Sequence, residues 1–340
     1  MFGKNGSLLG VACEHGRLSL ALVKQGVLKQ SVWEEIPENI VEGSEIVSRN
    51  LFAAFLKETM AKNHISCKNV AYSLPDRKVL TRFITMPKMS EDQIRLNIPF
   101  EFRDFISGEL KEYVFDYAYQ PPKNQAQAES ESSGKIRLFA AALSRNDLNE
   151  ADEMFKMAGL RMKKAAPRFC AFEALLRLLP TPDKRERERC FLDIGNKHSQ
   201  MMIFKDGRYK LVHMIDIGEH RIIQAVADEK NVDMHIAKTY LEENYEDCQN
   251  LPSVVNVYKD ISIEVLKGIN YYEVSDMSSN LQDITICGLG ATIQPLVGLL
   301  RDRLSGRNMN ANTMGELLPE WNKDGLINVT ASSLGQSIEQ

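Results

Sequence analysis

Apolar runs of strand length and amphipathic stretches of helix length alternate along most of the chain. Near the start, apolar residues at 8–11 and 18–23 predict a hairpin that is followed by a turn at Gln25-Gly26. Hydrophobic residues then recur with helical spacing over 44–62, and a buried-type strand is predicted at 69–74. This order of elements is typical of an α/β domain.

The pattern changes after the turn at Pro75-Asp76. Three strands and two helices are predicted, and Ser90 is a candidate N-cap for the first helix. A polar stretch rich in small residues interrupts the last two strands and predicts a mobile loop at 121–134. The predicted strands are 79–86, 114–119 and 136–143, and the predicted helices are 90–105 and 147–158.

The second half repeats the opening pattern. A helix at 171–179 and a connector precede a hairpin that enters at Phe191-Leu192 and leaves through 201–204. Long helices are predicted at 219–243 and 260–274, followed by a strand at 284–287 and a helix at 293–304. The chain therefore predicts two related halves with an inserted unit between them.

The two predicted hairpins differ at the positions where chemistry is expected. The second carries Asp193 and Gly195 at its tip. A glycine lets backbone N–H groups approach a phosphate, and an aspartate can hold a hydrated metal ion. At the matching positions the first hairpin carries Ala12 and Glu14. One phosphate grip is therefore predicted to be intact and the other lost.

The charge of Glu14 argues against an anionic ligand. Two like charges about 4 Å apart near a protein surface cost roughly 4 kcal/mol, or about three powers of ten in affinity. A shift of two residues would keep the strand facing and offer Glu14-His15-Gly16 as a substitute grip, so this alternative stays open. A second candidate phosphate-binding corner is the turn Gly288-Leu289-Gly290 at the end of a strand, although the spacing alone favours a plain tight turn.

Composition narrows the range of functions. The net charge is −4 over 340 residues, which gives no reason to expect a nucleic-acid partner. The six cysteines show no metal-binding spacing and are expected to be reduced thiols. The histidines form no metal-ligand motif and no nucleophile elbow is present, so no catalytic residue and no metal site is predicted. We expect neither a leader peptide nor a membrane span.

Several stretches together resemble one known family. They are Arg82-Phe83-Ile84-Thr85-Met86-Pro87, Ile98-Pro99-Phe100-Glu101, Glu112-Tyr113-Val114-Phe115-Asp116-Tyr117 and the tail Ala331-Ser332-Ser333-Leu334-Gly335. The chain resembles the PilM family of type IV pilus assembly proteins, which are relatives of FtsA in the actin-like superfamily. The resemblance implies an α/β, actin-like (ribonuclease H-like) two-domain fold with an inserted 1C subdomain of the SHS2 type.

The resemblance also implies a domain division and a ligand. The first subdomain (1A) would comprise 1–74 and 160–189, the inserted 1C subdomain 75–159, and the second domain 190–340. A family member would bind ATP with Mg²⁺ between the halves, here through Asp193, Gly195, Gly218, Gly288 and Gly290. The chain departs from the family pattern at Ala12, Glu14, Lys238 and Leu241. We therefore expect weak or lost ATP binding, that is, a pseudo-ATPase.

By the same resemblance, we expect the chain to be a cytoplasmic scaffold that reaches the inner face of the cell membrane through a partner. That partner would be an inner-membrane PilN-like protein with a short cytoplasmic tail, beside other pilus or secretion assembly components. Phe100, Phe102 and Phe105 could line the groove for the tail or fill the core of the inserted unit. Two alternatives stay open, namely a slow or regulatory ATPase of the same machine and an FtsA-like filament-forming protein.

Overall fold

Two five-stranded sheets and one three-stranded sheet form the framework of the computed structural model, which describes residues 6–14, 16–37, 39–42, 45–120, 134–322 and 325–338. The strands are β1 Ser7–Glu14, β2 Arg17–Lys24, β3 Val27–Glu35, β4 Val41–Glu42, β5 Glu45–Ile46, β6 Asn69–Leu74, β7 Val79–Pro87, β8 Tyr113–Tyr119, β9 Lys135–Ser144, β10 Arg161–Pro167, β11 Arg189–Ile194, β12 Ser199–Lys205, β13 Arg208–Ile215, β14 Asp283–Gly288 and β15 Asn310–Thr313. The helices are α1 Arg49–Lys62, α2 Glu91–Glu101, α3 Arg145–Met157, α4 Arg168–Arg177, α5 Pro182–Glu186, α6 Glu219–Lys230, α7 Met234–Glu243, α8 Pro252–Ser275, α9 Gln294–Ser305, α10 Met314–Leu317 and α11 Ile327–Ser337.

The first sheet has the strand order β10-β6-β1-β2-β3. Strands β1, β2 and β3 form an antiparallel meander, whereas β6 and β10 add in parallel on the other side of β1. Helices α1 and α3 bury Phe52, Leu56 and Phe155 in the core of this sheet. Strand β1 is buried over most of its length because it is the central strand of the sheet.

The second sheet repeats this topology with the order β13-β12-β11-β14-β15. Its meander is β11-β12-β13, and β14 and β15 are the parallel additions. Helices α6 to α9 supply the apolar cover, with Ile222, Leu241, Tyr258 and Leu296 buried in one core. Strand β11 therefore has the same position in the second sheet as β1 has in the first.

The inserted unit is the sheet β7-β9-β8 with α2 on one face. Ser90 caps α2, as the sequence predicts, and the structure adds a capping box with Gln93. Ile94, Ile98 and Phe102 of this helical segment pack on the sheet. The opposite face of the sheet joins the first core through Val79, Val114 and Leu143, so the unit is fixed to the first half.

Helices α4 and α11 lie between the two large sheets. Phe172 of α4 and Leu334 of α11 share a core with Phe191 and Phe204 of the second sheet. Helix α11 also packs closely on β1, where a Cβ atom at Gly10 would overlap the carbonyl oxygen of Ser333. A helix that contacts both sheets makes the two halves one packed body.

Two helices pack on the first sheet, although the predicted domain division assigns them to other parts of the chain. Residues 145–157 were assigned to the inserted unit, but α3 buries Met154 and Phe155 in the core of the first sheet. Residues 327–337 were assigned to the second domain, but α11 packs on β1, β2 and α4. We propose that both helices be counted with the first subdomain.

Most predicted elements are present, and the differences have local causes. The predicted helix 219–243 is divided at Asn231, which has a left-handed φ of 51° and ends α6. Helix α8 begins at Pro252 instead of residue 260, and α1 begins at Arg49 instead of residue 44. Of the predicted mobile loop 121–134, all but Gly134 lies outside the described residues.

Within the described residues, no helix combines the length and apolar character that a membrane span requires.

Candidate functional site

The two hairpin tips lie close together between the halves. Glu14 ends β1, and Asp193 is the penultimate residue of β11. Both central strands end at the same cleft, where a single side chain, Arg168, contacts both carboxylates. The place where the sequence predicts a phosphate is therefore bounded by one acid from each half.

Arg168 fills this place. It is the first residue of α4, and its side chain is buried. Its Nε lies 3.1 Å from Glu14 Oε1, and its Nη2 forms an ion pair with Asp193 Oδ2. Nη1 donates to Gln200 Oε1 at 2.9 Å, and Nε also donates to Ser332 Oγ at 3.2 Å. The guanidinium thereby pairs with both acidic tips.

The strand register decides how the two hairpins correspond. Ala12 pairs with Ser19 across the first hairpin, and Asp193 pairs with Gln200 across the second, a separation of seven residues in both. Ala12 is thus the counterpart of Asp193, as the unshifted comparison predicts. The alternative grip needs His15, which lies outside the described residues.

Burial and pairing act in opposite directions on Glu14. Burial raises the pKa of its carboxyl, while the charge of Arg168 and a hydrogen bond donated by Ser332 at 3.0 Å oppose that rise. Burial also raises the pKa of the neighbouring Cys287 to about 12, so this thiol stays protonated at neutral pH. Arginine side chains keep their positive charge in proteins, so Arg168 stays charged whatever the protonation of the acids around it.

A second charged cluster joins the halves near the first turn of α6. Arg17 of the first half lies 3.4 Å from Glu219 of the second and 3.2 Å from Glu35 of its own half. Its guanidinium lies over the ring of Trp33, 4.9 Å from the centroid. Lys238 of α7 forms an ion pair with Glu35 across the same cleft. Burial raises the pKa of Glu219 to about 7, although Arg17 opposes the shift.

The predicted phosphate-binding glycines have packing roles in the structure. A Cβ atom at Gly288, which has φ +76°, would overlap Asp193 Oδ1, and one at Gly290 would lie 2.6 Å from the side chain of Ile194. A Cβ atom at Gly218 would overlap the carbonyl oxygen of Asn196. Gly195 lines the cleft, and its carbonyl accepts the N–H of Glu219 at 2.8 Å. Close packing against neighbouring backbone or side-chain atoms is therefore enough to favour glycine at 218, 288 and 290.

The cavity that remains between the tips is small. Its volume is about 40 Å³, and Arg17, Trp33, Arg168, Asp193 and Ser332 are among its lining residues. Ligand pockets typically measure about 300–1,000 Å³. The cleft in this conformation has space for a few water molecules only.

Sequence and structure comparisons assign the family. The model of the family described as type IV pilus assembly protein PilM matches residues 19–320. The chain belongs to the PilM family. A chain of a solved PilM-PilN type IV pilus biogenesis complex is 18% identical, with 98% of this chain and 99% of that chain covered and a TM-score of 0.77. Ethanolamine utilization protein EutJ from Carboxydothermus hydrogenoformans is 12% identical over 96% of this chain and 88% of that chain, with a TM-score of 0.59. No curated protein matches this chain.

These matches confirm the actin-like two-domain fold class. In this PilM family member, the residues at the expected nucleotide site make contacts within the chain itself. Asp193 is paired with Arg168, Lys238 is paired with Glu35, and Leu241 is buried in the core of the second half. Among the described residues, no group of three or more His, Cys, Asp or Glu side chains could hold a metal ion.

The three aromatic residues predicted to bind the partner are not at one surface. Phe102 is completely buried and packs against Phe115 at 5.6 Å between ring centroids, so it belongs to the core of the inserted unit. Phe100 and Phe105 are exposed, and arginines lie over their rings. A partner could contact Phe100 and Phe105 directly, but not Phe102.

The sequence analysis did not identify several of the cleft residues, among them Arg17, Arg168, Glu219 and Ser332. A signal was present at Arg168, because an arginine begins the otherwise apolar run Phe169-Cys170-Ala171-Phe172 and a buried charge needs a partner. The partners themselves lie on strands and helices far away in sequence, so the pattern alone could not supply them.

Proposed function

We propose that this PilM family member is a cytoplasmic scaffold of a type IV pilus or type II secretion-like assembly. It binds the cytoplasmic tail of an inner-membrane PilN-like protein, and it keeps its two halves closed without a nucleotide. The observation that carries the nucleotide part of the proposal is the position of Arg168 between Glu14 and Asp193. The partner follows from the family and from the fold shared with a chain of a PilM-PilN complex.

The charge balance of the cleft supports nucleotide-independent closure. In a working site, Mg²⁺ and backbone N–H groups would balance the phosphates, and here a guanidinium is paired with the two carboxylates instead. An entering triphosphate would have to displace Arg168 from Asp193. Breaking a buried ion pair costs about 3–5 kcal/mol, which corresponds to roughly two to three and a half powers of ten in affinity.

A groove beside the inserted unit is the best candidate site for the tail. Val79 and Thr81 of the inserted unit, Pro167 and Phe169 of the first half and Val212 of the second line a cavity of about 70 Å³. This volume is too small for a whole ligand and suits one anchoring side chain of an extended peptide. Phe83 and Met214, on strands that contribute to this groove, are exposed apolar residues that could contact the rest of such a peptide.

The groove and helix α2 are on opposite faces of the inserted sheet. Ile84 and Met86 point toward α2, whereas Thr81 and Phe83 point to the other face because side chains alternate along a strand. Binding in the groove would leave Phe100 and Phe105 free. Binding at those two aromatic residues is the competing location.

The test is the affinity for a synthetic peptide with the sequence of the cytoplasmic tail of a PilN-like membrane protein from the same genome. Fluorescence anisotropy is measured for the wild type, Val212→Glu and the matched variant Val27→Glu, since both valines are in strands and about equally exposed, at 41% and 43%. We expect Val212→Glu to weaken binding at least about tenfold because it adds a second carboxylate to a mainly apolar groove that already includes Asp76. Val27→Glu should stay within about twofold of the wild type.

Two outcomes would overturn the assignment of the groove. Equal losses in both valine variants would mean that the effect is not local to the groove. Loss of binding in Phe105→Ala with full binding in Val212→Glu would move the tail to the α2 face. An absence of binding by the wild type would remove the partner proposal itself.

A further inference from the structure

Helix α2 presents a row of side chains away from the core of the inserted unit. Asp92, Leu96, Phe100 and Arg103 follow one another at spacings of four, four and three residues, which places them along one side of a helix. Arg103 lies just beyond the last residue of α2, but its N–H still donates to the carbonyl of Phe100 at 3.3 Å. The row therefore continues through the last turn.

The apolar members of this row have no function in the core. Leu96 is 70% exposed and Phe100 is 57% exposed, whereas Ile94, Ile98 and Phe102 complete the packing of α2 on its sheet. The guanidinium of Arg103 lies over the Phe100 ring, 5.2 Å from its centroid. An exposed leucine and phenylalanine flanked by charges of opposite sign have the composition of a contact surface.

We propose that this row is a self-association surface at which two copies of the chain pack α2 against α2 in antiparallel orientation. The proposal does not depend on the nucleotide site or on the groove for the tail. It rests on the order of charges along the helix, with an acid at its first turn and an arginine after its last. An antiparallel copy brings the arginine of each chain to the acid of the other.

The register of such a pair is self-complementary. A two-fold axis midway between Leu96 and Phe100 places Leu96 of one copy against Phe100 of the second copy. The same axis brings Arg103 to within one residue of the position opposite Asp92 of the second copy. Because the contact is isologous, each of these pairs occurs twice. A parallel pair would instead place Asp92 against Asp92 and Arg103 against Arg103.

The size of the surface indicates a weak contact. Two helices of about three turns bury less than the roughly 1,200 Å² of total surface that stable interfaces have. We therefore expect association that depends on concentration and becomes significant when copies are held together on one assembly. Because an isologous contact buries the same surface of both copies, no surface is left for a third copy, and dimers form instead of filaments.

Sedimentation velocity of the full chain over a concentration series up to about 200 µM tests this surface. The wild type should shift toward the mass of a dimer. Leu96→Glu should stay monomeric, while Val274→Glu, a matched change at a valine on helix α8 that is 81% exposed, should behave as the wild type. Circular dichroism of each variant checks that the exposed substitutions leave the fold intact.

Charge reversal distinguishes the proposed register from a general apolar contact. Asp92→Arg and Arg103→Asp should each weaken the dimer by about tenfold or more, because each reversal introduces two repulsive pairs. The double variant should recover to within about threefold of the wild type. A monomeric wild type at the highest concentration, equal effects of Leu96→Glu and Val274→Glu, a double variant that does not recover, or species larger than a dimer would each overturn the proposal.

Discussion

At the scale of single residues, Arg168 places a permanent positive charge between carboxylates that the two halves contribute separately. Gln200 and Ser332 accept further hydrogen bonds from the same guanidinium. Buried charges are retained only where they are paired, and removal of one member leaves the others uncompensated. The side chain is thus a structural link whose loss affects both halves at once.

Arg168→Gln should lower the free energy of unfolding by about 3–5 kcal/mol, because Asp193 then remains buried without its partner. Urea denaturation followed by circular dichroism measures this loss. The control is Arg49→Gln, which removes an exposed pair with Glu150 and should cost less than about 1 kcal/mol. The combined variant Arg168→Gln/Asp193→Asn should be more stable than the sum of its single changes predicts. Strict additivity would mean that the two side chains are not coupled.

Glu219 should make the free energy of unfolding depend on pH. Burial raises the pKa of its carboxyl from the usual 4.5 to about 7 in the folded chain. The folded state therefore binds more protons than the unfolded state between these values, and its stabilising contribution is lost as the pH rises from 4.5 through 7. The linked loss amounts to roughly 3 kcal/mol.

The measurement is the free energy of unfolding of the wild type and Glu219→Gln between pH 5 and 8. The wild type should lose stability relative to the variant as the pH rises. Glu246→Gln is the control, because the exposed carboxylate of Glu246 has a pKa lowered by Lys230 and remains ionised throughout this range. Parallel curves for the wild type and Glu219→Gln would show that Glu219 does not titrate in this range.

At the scale of elements, the contact between β1 and α11 depends on the absence of side chains. Gly10 in β1 faces the backbone of Ser333, and Gly335 in α11 faces the backbone of Ala171 in α4. Backbone atoms cannot move aside as the end of a flexible side chain can. The small residues of α11 therefore allow one helix to lie against both a strand and a second helix.

Gly10→Ala should destabilise the chain by several kcal/mol, because the added Cβ atom would overlap the carbonyl of Ser333. Thermal unfolding of this variant is compared with that of Gly298→Ala, a change on helix α9 where a Cβ atom meets nothing within 4 Å. The control should be neutral or stabilising by up to about 1 kcal/mol, since alanine is the better helix former. A similar small effect of both changes would contradict the close packing of α11.

Sequence patterns predicted elements well where one face of the element is apolar. The two hairpins and the strands of the inserted unit follow the predicted runs, and Ser90 caps α2 as expected. The division of residues 219–243 was missed, because a left-handed Asn231 leaves the apolar spacing on both sides unchanged. Helix α11 has only a short apolar series, Ile327, Ala331 and Leu334, among small polar residues, and it was expected only from the family resemblance.

At the scale of the whole molecule, the fold could be predicted, and only part of the cleft could. The repeated topology and the inserted unit could be predicted because each depends on hydrophobic patterns within short stretches of the sequence. The loss of one phosphate-binding tip, inferred from Ala12 and Glu14, stays a prediction. The contacts of Arg168 with Glu14 and Asp193 were not predicted, because they depend on distances between residues of both halves and α11.

Mg-ATP should not bind to the wild type up to millimolar concentration, because two charged clusters close the cleft and leave about 40 Å³. Calorimetric titration measures this, with Arg168→Gln and Asp193→Ala titrated alongside. Micromolar binding to the wild type that is lost in Asp193→Ala would contradict the proposal and favour a regulatory ATPase. Binding that appears only in Arg168→Gln would identify Arg168 as the group that excludes the nucleotide.

The position of α11 between the halves has a consequence for synthesis of the chain. Strand β10, which completes the first sheet, ends at Pro167, whereas α11 begins at Ile327. A ribosome that adds 5–20 residues per second reaches the end of α11 roughly 10–30 seconds after it has made β10. Until then, the inner apolar face of the first sheet lacks the helix that covers it. The nascent chain therefore passes through a period in which chaperone binding or a misplaced contact competes with its own closure.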